Sequence, residues 1–145
     1  LNKGQLTLWK LDELLSRQSG LKAIAGYSNM EVLVQNQMTD SKAREAIMAF
    51  CYAAKKMIGA LAAAMGGLDT LVFTGGIGEN SAIIREYICQ DMEFLGIRIN
   101  QQSNDKRYRT ISKTGSMVNV HVLATDETVM MAKHAKALIS KSPIS

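Results

Sequence analysis

A continuous apolar run followed directly by glycines constrains the fold of this chain more than any other feature. Leu71, Val72 and Phe73 are consecutive, and residues 74–80 read TGGIGEN. A run without polar alternation is typical of a strand covered on both faces, as in a parallel sheet. A helical pattern of apolar residues follows over residues 80–96, and after it come a short predicted strand at residues 96–100 and a polar loop at residues 100–109. The sequence therefore predicts a strand, a glycine-rich turn and a helix, in that order.

Helical and strand patterns flank this unit on both sides. Asp40 is placed to cap a long helix whose apolar stripe ends at Gly66 and Gly67. Valines alternate with polar residues over residues 117–124, which predicts a more exposed strand, and residues 125–139 again have a helical pattern. This order predicts an α/β fold class. The chain has 145 residues, of which 47% are hydrophobic, and this suits one domain spanning residues 1–145.

Composition argues against several classes of protein. The net charge is only +4 and aromatic residues make up 6%, so we expect no nucleic acid partner. Cys51 and Cys89 lie in helical patterns, which indicates buried free thiols in a reducing compartment. Residues 57–68 are the longest uncharged apolar stretch, and a membrane helix needs about 20 residues. Because the N-terminus also lacks a signal pattern, we expect a cytoplasmic protein without a membrane partner.

The glycine-rich turn has two interpretations. Ligands of open α/β sheets bind beyond the carboxyl ends of the strands, and glycines let the backbone approach a ligand closely. The segment is not a P-loop, because no lysine follows its glycines. It is not a dinucleotide fingerprint either, because Ser81 stands where a third glycine is needed. The residues themselves leave a ligand-binding turn and a purely structural turn both open.

Glu127 is the second candidate for a functional role. It lies in the first turn of the last predicted helix, where the helix dipole favours a carboxylate. A carboxylate at a strand-to-helix junction is suited to Mg²⁺ near a phosphate. A helix-start charge without any ligand is the alternative, and the position alone favours it.

Three segments together resemble the acetate kinase and propionate kinase family: GGLDTLVFTGGIGENS, IREYICQDMEFLGIRIN and ATDETVMMAKHA. The resemblance implies a ribonuclease H-like domain, of the type found in actin, sugar kinases and heat-shock ATPases, with helices packed on a mixed sheet. It also implies an enzyme that transfers a phosphoryl group between ATP and a short-chain carboxylate, acetate or propionate, giving an acyl phosphate.

The resemblance further assigns residues to ligands. Glu127 falls on the family's Mg²⁺-binding glutamate, and Ile77 is expected to contact the adenosine. The family's nucleotide site, for ATP or ADP, corresponds here to Gly76, Ile77, Gly78, Glu79 and Asn80. A homodimer is also implied, because family members dimerise through this region.

The sequence departs from the family in two respects. The resemblance covers only the C-terminal part of family chains, so the family's phosphate segment, histidine region and substrate arginines have no counterpart, and we expect no catalytic residue in this chain. Where the family has an Asp-x-Arg pair, this sequence has Asn29, Met30 and Glu31, which is expected to weaken nucleotide binding. The alternative function is a non-catalytic truncated relative that binds nucleotide weakly or serves as a dimerisation module.

Overall fold

The computed structural model describes residues 7–125 and Lys136. The predicted last helix, with Glu127, therefore lies outside the described residues. The described part runs through α1 (Leu8–Arg17), α2 (Leu21–Ala25), α3 (Met30–Asn36), α4 (Ser41–Met65), β1 (Thr70–Phe73), α5 (Gly75–Asn80), α6 (Ala82–Cys89), a 3₁₀ turn (Glu93–Leu95), α7 (Gln101–Asp105) and β2 (Asn119–Val122).

The long helix α4 begins and ends where the sequence predicts. The Asp40 side chain accepts a hydrogen bond from the Lys42 backbone N–H at 2.9 Å, which caps the first turn. Gly66 adopts a left-handed conformation with φ 77°, and its N–H bonds back to the last turn. The first half of α4 buries Ala43 and Ile47. This helix packs against α2, α3 and α6 and organises the core.

By length and composition α4 could also cross a membrane. α4 packs against α2, α3 and α6, but only 22% of its most apolar 18-residue segment is buried. Lys55 and Lys56 also lie in its middle, where a membrane would oppose their charge. The absence of a membrane partner stays a prediction.

The two described strands form a parallel sheet. Thr70 pairs with Asn119 and Phe73 pairs with Val122. In β2 the valines are buried, which confirms the predicted alternation. In β1 the prediction of cover on both faces is wrong within the described residues, because Val72 is 44% exposed while Phe73 is buried. A two-stranded sheet packs one face on the core, and Val72 points to the other.

The segment after β1 differs from its prediction in two ways. The glycine-rich residues form the short helix α5 rather than an irregular turn. The helix α6 ends at Cys89, well before Gly96, because Gln90 leaves the helical conformation with ψ 136° and Asp91 then adopts a left-handed one with φ 59°. The 3₁₀ turn then closes on Gly96, which has φ 81°. The backbone thus turns sharply on both sides of α6.

The segment between the 3₁₀ turn and β2 also differs from the predicted short strand and polar loop. The strand expected at residues 96–100 is reduced to a single bridge between Ile99 and Ser112. The expected loop contains α7, which begins where the Asn100 side chain accepts from the Ser103 N–H at 2.9 Å. Just after α7, Arg107 has a left-handed backbone with φ 51°. These turns bring Arg107 back to the end of α5.

Candidate functional site

A pocket of about 440 Å³ lies at the carboxyl end of β1. This volume is in the range of small-molecule sites. Its walls come from α3, from α5 and from Arg107, which follows α7. The lining residues are Met30, Glu31, Val34, Gly76, Ile77, Asn80, Ser81 and Arg107. Apolar side chains from α3 and α5 thus meet a rim of amide, hydroxyl, carboxylate and guanidinium groups.

The three glycines of α5 differ in backbone conformation and in the space around them. Gly75 has φ 71°, a conformation that side chains other than glycine rarely adopt. A Cβ on Gly78 would lie 3.4 Å from the carbonyl carbon of Phe73, which is an ordinary van der Waals contact, so α5 lies directly against the end of β1 at this residue. Gly76 has neither constraint, because an added Cβ would meet no atom within 4 Å. Gly76 lines the pocket, and its lack of a side chain leaves its backbone open to that space.

Asn80 connects α5 to Arg107. Its side-chain N–H donates to the Gly76 carbonyl at 2.9 Å. Its side-chain oxygen accepts from Arg107 Nη1 at 3.0 Å, and its backbone carbonyl accepts from Nη2 at 3.3 Å. Both ends of the Asn80 amide are therefore engaged, and they hold the guanidinium at the pocket wall.

Arg85 supports the same segment from the protein interior. Its side chain is fully buried and donates to the carbonyls of Gly78 and Glu79, both at 2.9 Å. It also donates to the side chain and the carbonyl of Asn104, at 2.7 Å and 2.8 Å. Burial lowers the pKa of Arg85 below its usual value, and the charge of Arg107 lowers it further. Carbonyl dipoles at the end of α5 stabilise this buried charge.

The structure divides the residues predicted for the nucleotide site into two groups. Gly76, Ile77 and Asn80 line the pocket. Gly78 and Glu79 do not line it, and their carbonyls instead accept hydrogen bonds from Arg85. All five assignments stay predictions of ligand contact, and the structure brings the first three together.

Sequence reasoning missed most of the opposite walls of the pocket. Val34 belongs to an ordinary helical pattern, and Arg107 belongs to a polar stretch without periodicity, so neither position carried a signal. In the sequence, Glu31 is distinguished only as a departure from the family pattern. Its place in the pocket shows that α3 faces α5, a relationship that local sequence does not contain.

Metal ligands are not assembled within residues 7–125. No group of three His, Cys, Asp or Glu side chains in that range could hold an ion. Glu127 lies outside the described residues, so its assignment to Mg²⁺ stays a prediction.

Comparison with known proteins places the chain in a family. Residues 1–133 match the model of the Acetokinase family. An acetate kinase from Carboxydothermus hydrogenoformans is 38% identical over 140 residues, which cover 94% of this chain and 35% of that protein. The chain thus spans about a third of the length of the curated relatives it matches.

Solved structures agree with the sequence matches. Acetate kinase from Porphyromonas gingivalis superimposes with a TM-score of 0.81 and 38% identity, over 92% of this chain and 35% of that one. A propionate kinase from Francisella tularensis gives a TM-score of 0.81 and 36% identity, over 88% and 33%. These neighbours confirm the predicted ribonuclease H-like α/β fold class. The family match and the fold show that this chain, whose pocket lies beside the GGIGEN segment, belongs to the acetokinase family.

Proposed function

We propose that this chain is the nucleotide-binding part of a kinase that transfers a phosphoryl group between ATP and a short-chain carboxylate, acetate or propionate, giving an acyl phosphate. Membership of the acetokinase family supports the reaction class. The observation that carries the proposal is Gly76, which faces the pocket and has no steric reason to be glycine. A backbone open to a ligand is what a nucleotide site at this position requires.

The pocket suits the nucleoside half of ADP or ATP. Met30, Val34 and Ile77 offer an apolar surface for a base, and the polar rim can hydrogen-bond the ribose. Phosphoryl transfer depends on positioned charges around the transferred group. We propose that this chain holds the nucleotide, while residues outside it act on the transferred phosphoryl and the carboxylate.

We propose Glu127 as the Mg²⁺ ligand of this chain. Mg²⁺ is commonly held by one or two carboxylates together with substrate phosphates and water, so a single glutamate is a sufficient protein contribution. When bound, the ion would neutralise phosphate charge. Calorimetry with ADP should therefore show tighter binding with Mg²⁺ than without it, and Glu127→Ala should remove that difference.

Direct nucleotide binding tests the main proposal. Titration of the chain with ADP and Mg²⁺ should give saturable heat, and ATP should compete for the same site. Acetate should give no comparable heat, because the carboxylate is proposed to bind elsewhere. A chain that is folded by circular dichroism and binds neither nucleotide at millimolar concentration would contradict the proposal.

A second candidate role is association with another copy of the chain. The second half of α4 exposes Met57, Leu61 and Met65, which form an apolar surface on one helix. We propose that a homodimer covers it. Sedimentation equilibrium should then show a dimer at micromolar concentration, and Leu61→Lys should shift the population to monomer. A wild-type monomer throughout that range would contradict this role.

A further inference from the structure

We infer that Arg107 forms a wall of the nucleobase site, with its guanidinium plane stacked against the base. The inference rests on the proposed function, because it names the part of the nucleotide that this pocket takes. Arg107 lines the pocket together with the apolar side chains Met30, Val34 and Ile77.

The hydrogen bonds of Arg107 determine what it offers a ligand. Nη1 and Nη2 both donate to Asn80, at 3.0 Å and 3.3 Å. Two of the five guanidinium N–H donors are therefore engaged by Asn80 of α5, and these in-plane bonds fix the orientation of the guanidinium plane. The flat face stays available, and guanidinium planes stack well on aromatic rings and nucleobases.

The charges of the pocket favour a base over a phosphate. Among the pocket-lining residues, Glu31 carries a negative charge and Arg107 a positive one. Together they leave the pocket close to neutral, whereas a phosphate site needs an excess of positive charge or many free N–H groups. An uncharged purine between an apolar surface and a guanidinium plane fits this balance.

The backbone of Arg107 is a separate observation in favour of a role. Its φ of 51° is uncommon for residues other than glycine, asparagine and aspartate, and it costs free energy. Arginine is thus held in a conformation that glycine would adopt without strain. Strained residues cluster at ligand sites, and this one faces a pocket.

Calorimetry with adenosine and with ADP tests the inference on the 145-residue chain. Arg107→Gln should weaken both ligands by a similar factor, about 2- to 30-fold, because the lost contact is to the base. Lys106→Gln is the matched control: it removes the same charge from the neighbouring residue, which does not line the pocket, and should leave both affinities unchanged.

Two further variants distinguish the effect of stacking on affinity from the effects of charge and of protein stability. Arg107→Lys keeps the charge but loses the plane, so it should weaken both ligands nearly as much as Arg107→Gln. Arg107→Gly relieves the backbone strain, so the chain should unfold at the same or higher urea concentration while binding more weakly. If this variant is at least as stable as the wild type, unfolding cannot explain its weaker binding.

Failure of this inference can be distinguished from failure of the proposed function. If the wild type binds ADP and Arg107→Gln leaves both affinities unchanged, the inference is wrong and nucleotide binding stands. A loss confined to ADP would mean that Arg107 contacts phosphate, which also overturns stacking on the base. A wild type that binds neither ligand would overturn both proposals.

Discussion

Arg85 Nε donates to Asn104 Oδ1 at 2.7 Å, and both side chains are fully buried. The Asn104 amide in turn donates to the Ala82 carbonyl at 2.9 Å. This pair joins α7 to the start of α6, and Arg85 extends the connection to the carbonyls of α5. The pocket wall formed by α5 therefore depends on a polar network in the interior.

Removing either partner of this network should strongly destabilise the fold. Asn104→Ala removes the Oδ1 that accepts from the buried Arg85 Nε, and it also removes the donor to the Ala82 carbonyl. Arg85→Met removes the donor that the carbonyls of Gly78 and Glu79 share. Each should lower the free energy of unfolding by about 3 kcal/mol, measured by urea denaturation. Arg109→Met removes an exposed arginine and should change it by less than about 1 kcal/mol. Equal effects of Arg85→Met and Arg109→Met would contradict a structural role for the network.

Gly76 and Gly78 should respond differently to alanine. Gly76→Ala places a methyl group in the pocket without a steric clash in the fold, so ADP affinity should fall while unfolding is unchanged. Gly78→Ala would place its Cβ in ordinary van der Waals contact with Phe73 and outside the pocket lining, so ADP affinity should change less than in Gly76→Ala. Gly59→Ala is the control, since its Cβ would also meet open space but lies on α4 outside the pocket. Unchanged ADP affinity in a folded Gly76→Ala variant would show that the glycine segment is only structural.

Glu31 should oppose binding of a charged nucleotide. Glu31→Gln removes a carboxylate from the pocket wall, so ADP should bind up to about 5-fold more tightly, and adenosine should change less. The gain should shrink as salt is raised, because exposed charges are screened. Glu45→Gln makes the same change on α4, away from the pocket, and calorimetry should show no gain. Weaker ADP binding in Glu31→Gln would instead indicate that the carboxylate bonds the ligand.

The two thiols should make stability depend on pH in the alkaline range. Burial raises the pKa of Cys51 from 9.0 to about 11 and that of Cys89 from 9.0 to about 12. Above about pH 9 the unfolded chain loses thiol protons that the folded chain keeps, so the free energy of unfolding falls as pH rises. Each thiol should cost roughly 1 kcal/mol between about pH 9 and about pH 10. Urea denaturation of a Cys51→Ala, Cys89→Ala double variant should show a flatter decline, and an identical slope would contradict this assignment.

Local sequence signals predicted the elements that have local causes. The Asp40 cap and the Gly66 stop of α4 were predictable because side-chain capping and left-handed glycine act within one turn. The alternating valines of β2 predicted which side faces the core. The parallel pairing followed from the apolar run of β1, although the exposure of Val72 did not, since it depends on how many strands and helices surround the sheet.

The remaining features depend on residues far apart in the sequence. The early end of α6 is an exception, because it is local: Gln90 turns out of the helix and Asp91 adopts a left-handed conformation that aspartate only sometimes takes. The bonds of Arg85 to Asn104 and of Arg107 to Asn80 join segments that no periodic pattern relates. The candidate pocket was therefore predictable on its α5 side alone, through a motif, while α3 and Arg107 required the folded chain.

The three walls of the pocket also determine at which stage of folding the pocket can form. They come from residues near 30, near 76 and near 107, and each pair encloses a long stretch of chain. Closing long loops costs entropy that is recovered only when the core has formed. A partly folded chain with native helices would hence lack the pocket. In a stopped-flow refolding experiment, ligand capture should therefore report the last cooperative step rather than the first formation of helix.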